Sequence, residues 1–259
     1  MKRAGHSLGR RRILASLLVL CLSLASGAVS KAEKSKAPRD VDEAEQWLRK
    51  DLETIGAVEV QFHLDTGDLA YRTKDKKSFG FNLATLVSTV VDRDEKSDMW
   101  RVTYTSYTAD KPFWWQNRDR GRAERFNAAL RLLAQQAIRN LDAALATEFE
   151  KFEPQAQAWR ALPEKPKMPD DAYTHKVLAE AAYHDHDLMK AFLEYNLALQ
   201  KVPTWPEGQF NLALIGGELK RYRGAVFHMK EYLALVPDAP DAQAAKDKMI
   251  LWQDKTTHP

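Results

Sequence analysis

Hydrophobic residues along the chain follow an alternating period first and a helical period later. Between residues 58 and 104, short segments alternate apolar with polar positions, beginning with Val58, Val60 and Phe62. This pattern predicts four or five antiparallel strands. From about Arg122 to Ala146 the apolar positions take helical spacing and predict a long amphipathic helix. The stripe on that helix consists of Phe126, Ala129, Leu130, Leu133, Ala137 and Leu141. The expected fold class is therefore α+β, with an antiparallel sheet packed on a long helix.

Two segments complete this part of the chain. Asp40 is placed to cap a helix that ends near Leu52. Residues 108–121 are predicted to form a loop that carries Phe113, Trp114 and Trp115. These aromatic residues suit either an exposed binding patch or burial against the sheet. Burial is favoured, because large aromatic side chains contribute most to a small core. Glu148 to Ala161 is a possible continuation of the long helix.

The second half of the chain repeats itself with a period of 34 residues. A shift of 34 places Leu178 on Leu212, Ala179 on Ala213, Ala191 on Ala225 and Pro203 on Pro237. A fixed period of this length is typical of a helical solenoid. Leu178 and Leu212 are expected to lie in the core of the repeats. Ala191 and Ala225 are expected to be buried where paired helices cross, and each proline is expected to end the second helix of its copy.

These positions resemble the tetratricopeptide repeat, whose pattern has a large–small pair at seven and eight, alanine at twenty and proline at thirty-two. The resemblance covers about a quarter of the chain, and two copies agree in register. It implies an all-α module of helical hairpins over residues 172–255. A final helix from Asp241 to Trp252 is expected to cap the array. The resemblance also implies a surface that binds other proteins.

In this family, positions two, five, nine and twelve of each first helix face a concave groove. The resemblance therefore places Tyr173, Lys176, Glu180 and Tyr183 of the first copy and Glu207, Phe210, Leu214 and Gly217 of the second copy at such positions. With Asn211, which occupies position six of the second copy, the expected partner-binding groove consists of Tyr173, Lys176, Glu180, Tyr183, Phe210, Asn211 and Leu214. Lys176 and Asn211 also match positions with which some members clamp a peptide carboxylate. Glu180, Asp241 and Ala245 depart from that clamp, and the acidic residues would repel a carboxylate.

The N-terminus has the order of a secretory signal. Basic residues from Lys2 to Arg12 precede an apolar run from Ile13 to Ala25, and small residues follow. The apolar run is shorter than the ~20 residues of a membrane-spanning helix, so we expect cleavage near residue 28 rather than an uncleaved anchor. The expected location is periplasmic or otherwise extracytoplasmic, without a stable membrane span after cleavage.

Removal of this signal changes the cysteine content and the net charge of the chain. Cys21, the single cysteine, lies within it, so the exported chain is expected to contain neither disulfides nor thiolate metal sites. The signal also contains five of the 39 lysines and arginines, against 36 acidic residues in the chain. The remaining net charge of about −2 gives no support for nucleic-acid binding.

We find no sequence motif for catalysis, such as a phosphate-binding glycine loop or a Gly-x-Ser-x-Gly elbow. One cluster of potential metal ligands, His184 to Asp187, is better interpreted as a polar turn between two helices, because its spacing matches no defined zinc site. We therefore expect no enzyme activity, cofactor or metal.

The expected domain organisation has five parts. They are a signal peptide at 1–28, a disordered tether at 29–40, an α+β domain at 41–161, a proline-rich linker at 162–171 and the repeat module at 172–255. The expected function is binding or scaffolding of a protein partner in the cell envelope. The alternative is an enzyme or small-ligand binder that uses the α+β domain, with the repeats as a docking arm. A filled interface between sheet and helix would favour the scaffold, and a wet pocket there would favour the alternative.

Overall fold

The computed structural model describes residues 37–108 and 112–257. The expected signal peptide and most of the expected tether lie outside the described residues. The helices are α1 Val41–Glu53, α2 Arg120–Ala161, α3 Asp170–His184, α4 Leu188–Lys201, α5 Pro206–Glu218, α6 Tyr222–Leu235 and α7 Ala242–Thr257. The strands are β1 Ala57–His63, β2 Asp68–Thr73, β3 Ser78–Asn82, β4 Leu86–Asp94, β5 Met99–Ser106 and β6 Phe113–Asn117, and a 3₁₀ turn occupies Leu83–Thr85. The α+β fold class is confirmed.

Helix α1 begins where the sequence predicts. The Asp40 carboxylate accepts a hydrogen bond of 2.9 Å from the backbone N–H of Glu43. This contact satisfies one of the N–H groups that a helix start leaves without a partner. Ala44 and Leu48 then recur at helical spacing, and both are fully buried in the core.

The strands form two antiparallel sheets of three, ordered β1-β2-β3 and β4-β5-β6. In β1 the register shifts between Ala57 and Glu59. This bulge turns Val58 outward, so Val58 is 51% exposed although the alternating pattern predicts that it faces inward. Val60 keeps the predicted direction and is buried.

Strand β6 corrects the expectation of a loop at residues 108–121. Its Phe113 pairs with Tyr104 and its Trp115 with Val102 on β5. Trp115 is buried, and its ring stacks on Phe126 of α2 at a centroid distance of 4.4 Å. The predicted burial against the sheet is therefore confirmed for Trp115, while Phe113 and Trp114 are half-buried. Three consecutive aromatic residues hide the alternation by which a strand is recognised.

Helix α2 is a single helix of 42 residues that includes the possible continuation after Ala146. Its first half contacts α1 and strands β4, β5 and β6. The predicted stripe is buried there, with Leu141 half-buried at its end. Its second half packs on α6, where Phe152 and Ala156 form a cluster with Leu235.

The hairpins α3–α4 and α5–α6 repeat the same local geometry at an offset of 34 residues. His186 and Lys220 both have a φ of 59° at the turn. The next N–H groups, of Asp187 and Arg221, donate to the carbonyls of Ala182 and Gly216. These contacts close both turns in the same way, with a left-handed residue after the first helix.

The small residues lie where the pattern predicts. Ala191 and Ala225 are buried, at 0% and 1% exposure. A Cβ added at Gly216 would lie 3.5 Å from the Cβ of Ala225, so α5 and α6 approach closely at this point. The expected burial of both alanines is confirmed, and at Ala225 the close approach of the paired helices is confirmed as well.

The predicted burial of Leu178 is wrong. The 34-residue pattern predicts a core position, and its equivalent Leu212 is fully buried, but Leu178 is 39% exposed. Leu212 packs into a cluster with Ala179 and Tyr195 of the preceding hairpin. Leu178 belongs to the first hairpin, which has no such hairpin before it.

Helix α7 follows the second hairpin and packs on α6. Its Ala245 and Trp252 are buried, as a terminal helix that covers the last repeat requires. Within the described ranges, no helix combines the length and apolar composition needed to cross a membrane.

Candidate functional site

A cavity of about 570 Å³ opens between α3 and the start of α5. Four residues that the sequence predicts for the groove line it: Tyr173, Lys176, Glu180 and Asn211. Met168, Trp205 and Glu207 complete the lining. We call this cavity the groove.

Helical spacing explains why α3 contributes three side chains. Tyr173, Lys176 and Glu180 are separated by three and four residues and therefore share one face of the helix. Tyr173 is 54% exposed, which is high for an aromatic side chain in an ordered helix.

A hydrogen bond to α4 holds the Asn211 side chain in place. Its Nδ2 donates a 3.0 Å hydrogen bond to the hydroxyl oxygen of Tyr195 on α4. Burial raises the pKa of Tyr195, although the hydrogen bond from Asn211 lowers it and the charge of Glu180 raises it further. The phenol therefore stays protonated at neutral pH and offers a fixed acceptor for the amide.

The charges in the groove partly compensate one another. Lys176 Nζ lies 3.8 Å from Glu180 Oε1. The same nitrogen lies 5.8 Å from the Tyr173 ring centroid and 5.9 Å from that of Trp205. Glu207, in the first turn of α5, adds a second carboxylate. A peptide carboxylate would meet both acidic groups, so the charges of the groove disfavour the clamp that Lys176 and Asn211 resemble.

Trp205 is the aromatic residue of the groove that sequence reasoning missed. It lies in the loop before α5, and its ring stacks on Tyr195 at a centroid distance of 5.9 Å. Gly208 makes this placement possible, because a Cβ there would overlap the indole ring. The available signal was a tryptophan between Pro203 and Pro206, in a loop that joins two repeats.

Three residues expected in the groove lie elsewhere. Phe210 and Leu214 are half-buried and pack into a cluster that includes Tyr232 and Trp252. The Phe210 ring lies 4.9 Å from the Tyr232 ring. Their expected exposure is wrong because α6 and α7 cover that side of α5. Tyr183 is exposed near the far end of α3, where its hydroxyl donates to Glu218 at 3.3 Å.

The segment from His184 to Asp187 forms the exposed turn between α3 and α4 that the sequence predicts. Within the described residues, no group of three or more His, Cys, Asp or Glu side chains is arranged to hold a metal ion.

No match to this chain was found among family models, curated proteins or solved structures. The likeness of residues 172–237 to tetratricopeptide repeats therefore stays a prediction.

Proposed function

We propose that this chain is a non-catalytic scaffold protein whose groove binds an extended segment of a partner protein. We further propose that the signal at residues 1–28 exports it to the cell envelope. The observation that carries the proposal is the convergence of Tyr173, Lys176, Glu180 and Asn211 on one cavity beside Trp205. Aromatic anchors surrounded by polar and charged groups are typical of sites that contribute most to binding energy.

The chemistry of the groove suits a peptide. Exposed Tyr173 offers apolar surface beside the largely buried Trp205, and the Asn211 side chain offers amide hydrogen-bonding groups. Compensated charges at Lys176 and Glu180 favour a ligand of mixed polarity over a strongly anionic one. An extended backbone supplies alternating amide groups and side chains of this kind.

The interior of the α+β part supports the scaffold over the alternative of an enzyme or small-ligand binder. The space between sheets and helices is filled by buried apolar side chains, including Leu48, Leu69 and Leu130. A small-molecule site requires a cavity with a few convergent polar groups. The α+β interior is therefore packed with apolar side chains, which is the arrangement expected for the scaffold.

Selection of peptides from a random display library against residues 29–259 tests the proposal. The affinity of an enriched peptide would be measured by fluorescence anisotropy for the unaltered chain, Tyr173→Ala and Tyr183→Ala. Both tyrosines are exposed on α3, but only Tyr173 lines the groove. We expect Tyr173→Ala to weaken binding about 30-fold, equivalent to ~2 kcal/mol, and Tyr183→Ala to change it less than twofold.

Circular dichroism of both variants controls for folding. The proposal is wrong if no peptide is enriched over an unselected pool. It is equally wrong if Tyr173→Ala folds and binds every enriched peptide with unchanged affinity.

A further inference from the structure

A second cavity, of about 750 Å³, adjoins the groove and shares Met168, Trp205 and Glu207 with it. It lies where the C-terminal end of α2 meets the proline-rich linker and the loops before α5 and α7. Trp159, Trp205 and Tyr232 supply aromatic rings to its wall. We call this cavity the annex.

Both basic residues of the annex are engaged by backbone carbonyls. Lys165 Nζ donates to the carbonyls of Trp159, Arg160 and Leu162 at 2.9, 3.2 and 2.9 Å. These are the last carbonyls of α2, which a helix leaves without internal partners and with a partial negative charge. Arg160 donates to the carbonyl of Ala234.

The carboxylates of the annex are not engaged in this way. Glu207 and Asp238 are both exposed, and neither forms an ion pair or a hydrogen bond within the described part of the chain. The charge of Glu207 also acts on the neighbouring Tyr232. Its pKa is raised by burial first, by its contacts with Asp241 next, and also by the charge of Glu207. Two available carboxylates therefore stand beside the rings of Trp205 and Tyr232, which are largely buried, and beside Trp159, whose ring centroid lies 4.5 Å from Lys165 Nζ.

We propose that the annex binds an arginine side chain of the peptide that occupies the groove, with Glu207 and Asp238 as its charge partners. This proposal rests on the proposed function, because it names a feature of the same ligand. A guanidinium is planar, stacks on aromatic rings and donates to carboxylates in a fixed fork. It is also weakly hydrated, so its transfer from water to an aromatic wall costs less than that of an ammonium group.

The shared wall makes simultaneous binding possible. Trp205 and Glu207 border both cavities, so a peptide in the groove runs directly past the mouth of the annex. Successive residues of an extended chain are ~3.3 Å apart, so a side chain one or two residues further along is within reach.

The test uses two small probes on residues 29–259 at physiological salt. N-acetylarginine amide and N-acetylcitrulline amide have nearly the same shape, but citrulline is uncharged. NMR titration would follow the indole Nε1–H signals of Trp159 and Trp205, assigned by single Trp→Phe substitutions. We expect saturable shifts of both signals with the arginine probe and at least tenfold weaker binding of the citrulline probe.

Variants locate the charge partners. Glu207→Gln and Asp238→Asn are each expected to weaken arginine binding at least threefold. Glu95→Gln removes an exposed carboxylate from the turn between β4 and β5 and is expected to leave it unchanged. Equal binding of citrulline, absence of indole shifts, or insensitivity to both substitutions would overturn the proposal.

The outcome is separable from that of the peptide selection. Tyr173-dependent peptides without arginine, together with no response to the arginine probe, would leave the groove in place and overturn the annex proposal alone. Saturable arginine binding without any Tyr173-dependent peptide would support the annex as an arginine site and contradict the proposed function.

Discussion

At the residue scale, small side chains decide how closely the helices of the repeats approach. Ala191 and Ala225 are buried at equivalent points of α4 and α6, at 0% and 1% exposure. The sequence predicts both positions, because a small residue that recurs with the repeat period has to satisfy the same packing requirement twice.

Replacement of either alanine tests this packing. Ala191→Leu and Ala225→Leu are each expected to lower the free energy of unfolding by about 1–3 kcal/mol, since overpacking forces neighbouring side chains and backbone to shift. Ala181→Leu, on the exposed face of α3, is the matched control and is expected to change stability by less than about 0.5 kcal/mol. Urea denaturation measures all three. Wild-type stability in both buried variants would show that the repeat register is incorrect.

The residues that sequence reasoning misplaced share a physical cause. Leu178, Phe210 and Leu214 occupy repeat positions correctly, but their exposure depends on which helix stands next to them. Leu178 lacks a preceding hairpin, whereas α6 and α7 cover Phe210 and Leu214. A repeat pattern predicts the position of a residue within its repeat. It does not predict which helices pack beside a repeat at either end of the array.

At the element scale, the boundaries of α1 and the buried stripe of α2 were predictable because capping and periodicity are local. The bulge in β1 and the existence of strand β6 were not predictable from the sequence. Val58 faces outward through a register shift that depends on pairing with β2. Strand β6 forms through antiparallel pairing with β5, and no local sequence pattern predicts this pairing.

One ion pair joins α1 to α2 within the core and gives a pH-dependent prediction. Asp51 Oδ1 lies 2.5 Å from Arg122 Nε, with the Asp51 side chain only 8% exposed. Burial raises the pKa of Asp51 above its ordinary value, although the hydrogen bond and charge of Arg122 lower it. A carboxyl with a raised pKa in the folded chain stabilises the fold while it is protonated, and this contribution is lost as pH rises through the folded pKa.

Asp51→Asn is therefore expected to cost less stability at pH 7 than at pH 4, because the wild-type carboxyl has lost its contribution at the higher pH. Urea unfolding of both chains at the two pH values measures the difference, with Asp92→Asn on the exposed edge of β4 as control. A larger cost at pH 7 would mean that attraction to Arg122 outweighs burial.

At the scale of the whole molecule, the α+β part and the hairpins are joined by more than a linker. Helix α2 belongs to both, and Arg223 of α6 adds contacts across the junction. Its guanidinium donates to Asp142 of α2 at 3.0 Å, to the carbonyl of Ala84 at 3.0 Å and to that of Thr256 at 3.1 Å. No local pattern predicts this junction, because each partner lies more than thirty residues away along the chain.

NMR mapping of a bound peptide shows whether the groove is the binding site. Saturating amounts of a peptide enriched in the display selection would be added to isotope-labelled chain, residues 29–259. We expect the largest shifts on residues 168–180 and 205–211, including the Trp205 indole. Largest shifts on strands β4 to β6, or on the outer face of α4 around Leu193, would contradict this expectation.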